Sequence, residues 1–177
     1  MIEYNKVPSV TFKFRIGDTD EKGGCTFIGG EWKDMNTHEL FSGKKVLLVS
    51  LPGAFTPTCS GEELPTYDKM YSQFKDKGID EVYCISVNDA FVMNAWARDL
   101  GIDNVKMIPD GSGVFTRQMG MLVEKNDKGF GMRSWRYTAI INDCTIEKMF
   151  VEVGLSDNNI NDPYIETNPK NVIENIW

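Results

Sequence analysis

Nine residues of this 177-residue chain have the types and spacing that chemistry needs: Pro52-Gly-Ala-Phe-Thr56-Pro-Thr-Cys59-Ser60. They follow an apolar run, Val46 to Leu51, and precede a segment with helical periodicity. A thiol is thereby placed where a strand end meets a helix start. The unpaired N–H groups of a helix's first turn favour negative charge, and the thiolate is the nucleophilic form of cysteine. The chemistry to expect is attack by ionised sulfur on an electrophile.

If that electrophile were a peroxide O–O bond, the site would need a thiolate, a group that orients two oxygens, and positive charge for the departing one. An unperturbed thiol has a pKa of about 8.5, so lowering it by two units takes roughly 2.7 kcal/mol of preference for the anion. A helix end supplies only ~0.3–1 kcal/mol. Glu62 and Glu63 lie close in sequence and oppose ionisation, although as first-turn acids they also favour the helix. A cation from elsewhere is required, and a guanidinium suits the task because it stays charged and offers forked donors. The hydroxyl of Thr56 can both donate and accept, so it can hold the sulfur and one oxygen together. Pro52 has no N–H and offers a rigid ring to wall off the pocket. Pro57 stiffens the approach to Cys59, and Pro65 is expected to interrupt the helix soon after it begins. Ser60-x-x-Glu63 matches a capping box, which puts Cys59 just outside the helix; Thr58 as cap puts it at the first helical position. Either way the sulfur lies near the positive end.

The positioning elements follow from pattern. Val10-Thr-Phe-Lys-Phe-Arg-Ile alternates as an amphipathic strand, and Gly23-Gly24 with Gly29-Gly30 around Cys25 suggest a glycine-turned hairpin. Val46–Leu51 and Glu81–Val87 read as buried strands. Leu64, Tyr67, Tyr71 and Phe74 predict a helix over about 60–77, stopped by Gly78. Asn88 or Asp89 can cap a helix running to Leu100. Val105–Ile108 is a short strand, Ser112–Met119 a short helix, and Met121–Glu124, Tyr137–Ile141 and Thr145–Val153 further strands. Residues 154–168 read as a loop, and Asn168-Pro169 opens a final helix. Strands alternating with helices, then a run of strands, predict an α/β chain with a mixed sheet flanked by helices, in one domain over 1–177.

Composition narrows the class. Net charge is −7, which argues against nucleic acid or an anionic membrane as partner, and no apolar run approaches a membrane span. The expected setting is cytoplasmic and reducing, or organellar if a presequence has been removed. Cys25, Cys59, Cys84 and Cys144 form no Cys-x-x-Cys pair, and a single histidine, His38, makes a metal site improbable. Cys25 and Cys144 are expected to be inert thiols. No dinucleotide or phosphate loop stands up: Thr116 replaces the third glycine after Gly111-Ser-Gly113, and His38 replaces the first glycine before Gly43-Lys-Lys.

Pro52-x-x-x-Thr56-x-x-Cys59 resembles the active-site motif of the peroxiredoxins, and Leu51-Pro-Gly-Ala-Phe-Thr-Pro-Thr-Cys-Ser resembles the type II, peroxiredoxin-5-like subfamily. The resemblance continues through Cys84-Ile-Ser-Val-Asn-Asp-Ala-Phe-Val-Met-Asn-Ala-Trp, Pro109-Asp-Gly-Ser-Gly and Gly131-Met-Arg-Ser-Trp-Arg136-Tyr, covering about residues 6–177. It implies a thioredoxin-like fold, here with an N-terminal β-hairpin extension, and a thiol peroxidase acting on hydrogen peroxide and alkyl hydroperoxides without metal or organic cofactor. Cys59 would be the peroxidatic cysteine, Thr56 its hydrogen-bonding partner and Pro52 its shield. The active-site arginine falls on Arg136. If that stretch is extended, Arg133 and Arg136 point to opposite faces, so only Arg136 serves the pocket and Arg133, like Arg117, is a solvated charge. Many relatives have histidine four residues after the peroxidatic cysteine, where this chain has Glu63. Cys84, 25 residues after Cys59, has the spacing of a resolving cysteine in plant-like members, yet its strand would point it into packed surroundings. Reduction by glutathione with glutaredoxin, or by thioredoxin, and a homodimer with the active-site loop near its interface are the expected partnerships. The competing expectation is a peroxide sensor or holdase with little turnover.

Overall fold

The computed structural model describes residues 6–20 and 27–177. Five strands form its central sheet: β3 (Lys45–Ser50), β4 (Glu81–Ser86), β5 (Lys106–Pro109), β8 (Tyr137–Asn142) and β9 (Thr145–Val151). The order is β5-β4-β3-β8-β9, with β3, β4 and β5 parallel and β8 and β9 antiparallel to their neighbours. β3 reads as a continuous apolar run because both its faces are covered. Leu47 and Val49 enter one apolar cluster with Leu64, Tyr67, Phe74, Trp96 and Val172. Val46 and Leu48 enter the other with Phe12, Leu40, Phe41 and Phe115. Side-chain alternation along one strand therefore builds two cores.

The first cluster is roofed by helices α2 (Leu64–Lys69), α3 (Tyr71–Asp76), α4 (Ala90–Leu100) and α6 (Pro169–Glu174). Asp89 caps α4 by accepting from the Val92 N–H at 3.0 Å, and Gly101 ends it at φ 62°. Asn168 caps α6 ahead of Pro169. The other face carries α1 (Thr37–Phe41), α5 (Val114–Gln118) and the antiparallel ribbon of β1 (Thr11–Asp20) and β2 (Phe27–Asn36). That ribbon is the expected hairpin extension. Its glycines differ from expectation: Gly29 and Gly30 lie inside β2, at φ 84° and 76°, opposite Gly17 at 73°. They distort a long ribbon instead of turning it, which glycine permits without steric cost. Gly23-Gly24 and Cys25 lie outside the described residues. Short strands β6 (Leu122–Glu124) and β7 (Met132–Ser134) form a separate pair.

The single helix expected over 60–77 is three pieces. A π-helical turn spans Cys59–Glu63, α2 follows, and Met70 (φ −90°, ψ 5°) breaks α2 from α3. Pro65 does not interrupt the helix. In an α-helical continuation its ring would press on the Gly61 carbonyl; widening the preceding turn, with Leu64 N–H donating to Cys59 O, moves that carbonyl away. Among the described residues, no helix is long and apolar enough to cross a membrane.

Candidate active site

The site begins where β3 ends. Pro52 and Gly53 are buried behind the loop, and Phe55 turns the chain at φ 62° with its ring exposed. Thr56 Oγ1 donates to Gly53 O at 2.7 Å, and Ser60 N–H donates back to Thr56 O at 2.9 Å. The helix therefore starts at Pro57, two residues ahead of the start that Thr58 as cap implies and four ahead of the one that Ser60 implies, and Cys59 lies in its first turn. Two further groups hold the loop. Ala54 N–H donates to Asn88 Oδ1 at 3.0 Å, and Trp96 Nε1 donates to Ser60 Oγ at 3.0 Å.

Cys59 Sγ is nearly enclosed, 1% exposed, with Arg136 Nη1 3.5 Å away. The guanidinium is itself buried and engaged on every edge. Nη1 also donates to Glu63 Oε2, Nη2 donates to both Asp162 oxygens at 2.7 and 2.8 Å, and Nε donates to Pro163 O at 3.1 Å. The Tyr164 ring lies 5.7 Å from its centre. Burial works against this cation, but Glu63, Cys59 and Asp162 together outweigh it and raise its pKa.

Glu63 is the largest departure from the sequence reading, which took it for a first-turn acid. Glu62 is exposed as such an acid should be, whereas Glu63 is completely buried. Burial, ahead of the opposing Arg136, pushes its carboxyl up to about 7. Among the described residues its Oε1 finds no hydrogen-bond partner. The signal was present in the spacing, since residues four apart share a helix face and Cys59, Glu63 and Tyr67 form one stripe. Tyr67 anchors the stripe, donating to Thr167 O at 2.6 Å and lying 3.0 Å from Thr138 Oγ1.

Cys59 does not show the lowered pKa that a reactive thiol was expected to have. Burial pushes it up, Arg136 pulls it down, Glu63 pushes it up again, and Thr56 and the Gly53 backbone favour the anion. The cation required on energetic grounds is present, but shared among three acids.

Arg133 also departs from expectation. Trp135 and Arg136 carry the chain from β7 into β8, two different sheets, so alternation along one strand does not separate the two arginines. Arg133 is half-buried, donates to Phe130 O at 3.0 Å and Val87 O at 3.3 Å, and is close enough to Cys59 to sense its charge. A Cβ on Gly53 would lie 2.8 Å from Arg133 Nη1, so a side chain there would push the end of Arg133 aside. Asp162, Tyr164 and Asn88 were not singled out as site residues from sequence; loop residues brought in by tertiary folding carry no local periodicity.

Cys84 lies on β4 in the same apolar cluster as Cys59, with 0% exposure. Burial, then Glu63 and Cys59, push its thiol well above the ordinary range. Cys59, Cys84 and Cys144 are all free, and Cys144 is half-buried in the β8–β9 turn at φ 64°. His38 is exposed on α1.

Comparison with known proteins identifies the family and the fold. The Redoxin family model matches residues 4–163. Peroxiredoxin y4vD of Sinorhizobium fredii (strain NBRC 101917 / NGR234) is 52% identical over 171 residues, spanning 97% of this chain and 89% of the relative. A crystal structure of the Plasmodium falciparum antioxidant protein, a 1-Cys peroxiredoxin, superposes with a TM-score of 0.89 at 38% identity, covering 98% of each chain. Reduced Prx3 from Vibrio vulnificus, crystallised in complex with hydrogen peroxide, gives a TM-score of 0.81 at 32% identity, covering 98% of this chain and 95% of that one.

Proposed function

This chain belongs to the peroxiredoxins, of the type II, peroxiredoxin-5-like kind, and is a thiol peroxidase; from that premise we propose that Cys59 is its peroxidatic cysteine. The observation that carries the assignment is the buried Sγ of Cys59 with Arg136 Nη1 at 3.5 Å and Thr56 three residues away on the same loop. In this reading the Cys59 thiolate attacks one oxygen of hydrogen peroxide or an alkyl hydroperoxide. The O–O bond breaks, sulfur is oxidised to sulfenic acid, and the departing oxygen leaves as hydroxide or alkoxide, which takes up the proton that Cys59 lost to become water or alcohol. Arg136 and Thr56 stabilise the charge that develops on the departing oxygen, as an oxyanion hole does. Pro52, buried beneath the loop, shields the sulfur from bulk water. Arg133, against Gly53, braces the loop and adds positive potential.

The sulfenic acid is then reduced by an external thiol, glutathione with glutaredoxin or else thioredoxin. The complete burial of Cys84 in packed β4 supports this route, because a disulfide with Cys59 would need the Cys59 helix to unwind. The same proposal takes residues 1–177 as one domain working in the cytoplasm, a setting in keeping with the three unpaired cysteines among the described residues. It also takes the chain as a homodimer. Exposed apolar side chains beside the site support that assembly: Phe55 on its loop, and Ile160 and Ile165 on either side of Asp162.

Mass spectrometry after one equivalent of peroxide tests the assignment. Sulfenic acid at Cys59, becoming a mixed disulfide when glutathione is added, is the expected product. Oxidation at Cys84 with Cys59 untouched would reassign the site. A Cys59–Cys84 bond as the sole product would replace the external-thiol route by an internal one.

A further inference from the structure

Arg136 is a buried cation facing more negative charge than it can neutralise. Cys59 and Glu63 both contact its Nη1, and all three residues are at most 2% exposed. Asp162 holds Nη2, but from a position 37% exposed, where solvent screens it. If Glu63 and Cys59 were both ionised, two anions would sit in low-dielectric surroundings against the one guanidinium they both contact, a costly arrangement that the half-buried Arg133, acting on Cys59 alone, relieves only at the sulfur. The other groups that sense Glu63 give no relief. Tyr67 on α2, Cys84 on β4, Glu152 just after β9, and Asp162 and Tyr164 on the loop beyond are neutral or acidic. Lys125 reaches Asp162 and Arg136 from beyond β6. A second observation is independent of charge counting: Glu63 Oε1 is buried with no partner among the described residues, a position a carboxylate oxygen tolerates poorly and a protonated carboxyl tolerates better.

We propose that Cys59 and Glu63 share a single proton across Arg136, so that the reactive state of the site holds Cys59 as thiolate and Glu63 as carboxylic acid. The step is a proton relocation, Cys59–SH and Glu63–COO⁻ becoming Cys59–S⁻ and Glu63–COOH, with no change of oxidation state. Arg136 then has one buried anion in either form. In the thiolate form its Nη1 is released from the carboxylate charge and serves the sulfur and the incoming peroxide. Two such coupled groups lose their protons in two steps that belong to the pair. The directions at each group agree, with the Glu63 carboxyl raised to about 7 and the Cys59 thiol raised in part by Glu63. Glu63 is thus a positioning residue that acts through Arg136 and Cys59.

This inference rests on Cys59 being the peroxidatic cysteine, and its test keeps the two apart. The rate of Cys59 oxidation by hydrogen peroxide is measured in single turnover across the pH range in which circular dichroism shows the fold intact. Iodoacetamide alkylation of Cys59 is followed in parallel. For the native chain the expected peroxide profile is bell-shaped, rising with pH and falling once both protons are lost. In Glu63→Gln, which keeps the shape and removes the charge, the alkaline fall disappears. The alkylation midpoint also moves down by about one pH unit, a tenfold change in thiolate fraction at a given pH. A native profile that climbs to a plateau without falling would overturn the proposal with no variant needed. So would Glu63→Gln slowed equally at every pH with its profile unchanged, the mark of a structural role. Should peroxide leave Cys59 untouched at every pH, the peroxidase assignment of Cys59 fails, and the alkylation midpoint still decides the shared proton.

Discussion

Cys59 and Cys84 are two free thiols in one apolar cluster, both essentially inaccessible and both pushed up by burial. What separates them is what else touches the sulfur. Cys59 sits in the first turn of a helix, with a guanidinium 3.5 Å away and a threonine and backbone that favour the anion. Cys84 lies mid-strand between Val49 and Met107 in register, and the charges acting on it, Glu63 and Cys59, both oppose ionisation. Burial therefore does not distinguish a working thiol from a packing one. The distinction lies in whether a desolvated sulfur has a cation to replace the water it lost.

The largest test of that contrast removes each sulfur in turn. Cys59→Ser is expected to lower peroxidase activity by on the order of 10⁴-fold or more, the scale of losing a nucleophile. Cys84→Ala should keep its rate with glutathione and glutaredoxin and lose about 1 kcal/mol of stability from the vacated core volume. Steady-state peroxide consumption and urea unfolding read these outcomes. Equal loss of activity in both variants would break the comparison.

Next in size is Arg136→Lys, which keeps the charge but loses the fork that spans Cys59, Glu63 and Asp162. It should lower kcat/KM by about 10²-fold, the scale of one displaced electrostatic donor. Stopped-flow oxidation at constant pH measures it, and an unchanged rate would mean that charge alone separates the two thiols.

The smallest effect is on stability. The Glu63 carboxyl is raised from its ordinary 4.5 to about 7, so the folded state binds that proton more tightly than the unfolded chain does. Its stabilising contribution is fully present below about pH 4.5 and is lost as pH rises through about 7. Between those limits the native chain should melt at progressively lower temperature as pH rises, and Glu63→Gln should remove that part of the slope. Calorimetry across the window checks it, and parallel slopes in both proteins would refute it.

Much of the scaffold was legible from local pattern. β3, β4 and β8 announce themselves as apolar runs, Gly78 stops its helix at positive φ as its position suggests, and Asn168-Pro169 opens α6. The misreadings occur where a distant group overrides a local signal. The π turn at Cys59–Glu63 resolves a conflict between Pro65 and the Gly61 carbonyl that no propensity encodes. Arg133 was set aside by an alternation rule that holds within one strand, but the chain changes sheets across Trp135 and Arg136. Glu63 looked like an exposed acid because glutamate usually is one, and its burial depends on a partner 73 residues away.

By itself, the order of residues determined that a cysteine with a threonine three before it would stand at a strand-to-helix junction. It also determined that two glutamates nearby would make a distant cation necessary. Such features are local, and backbone geometry transmits them directly. Only the tertiary structure decided how that cation is shared. It set Glu63 inward and Glu62 outward, and it brought Asp162 onto the free edge of Arg136. It also left Cys84 in the same core without a counter-charge. Electrostatic energies inside a protein depend on distance and exposure, and sequence separation carries neither.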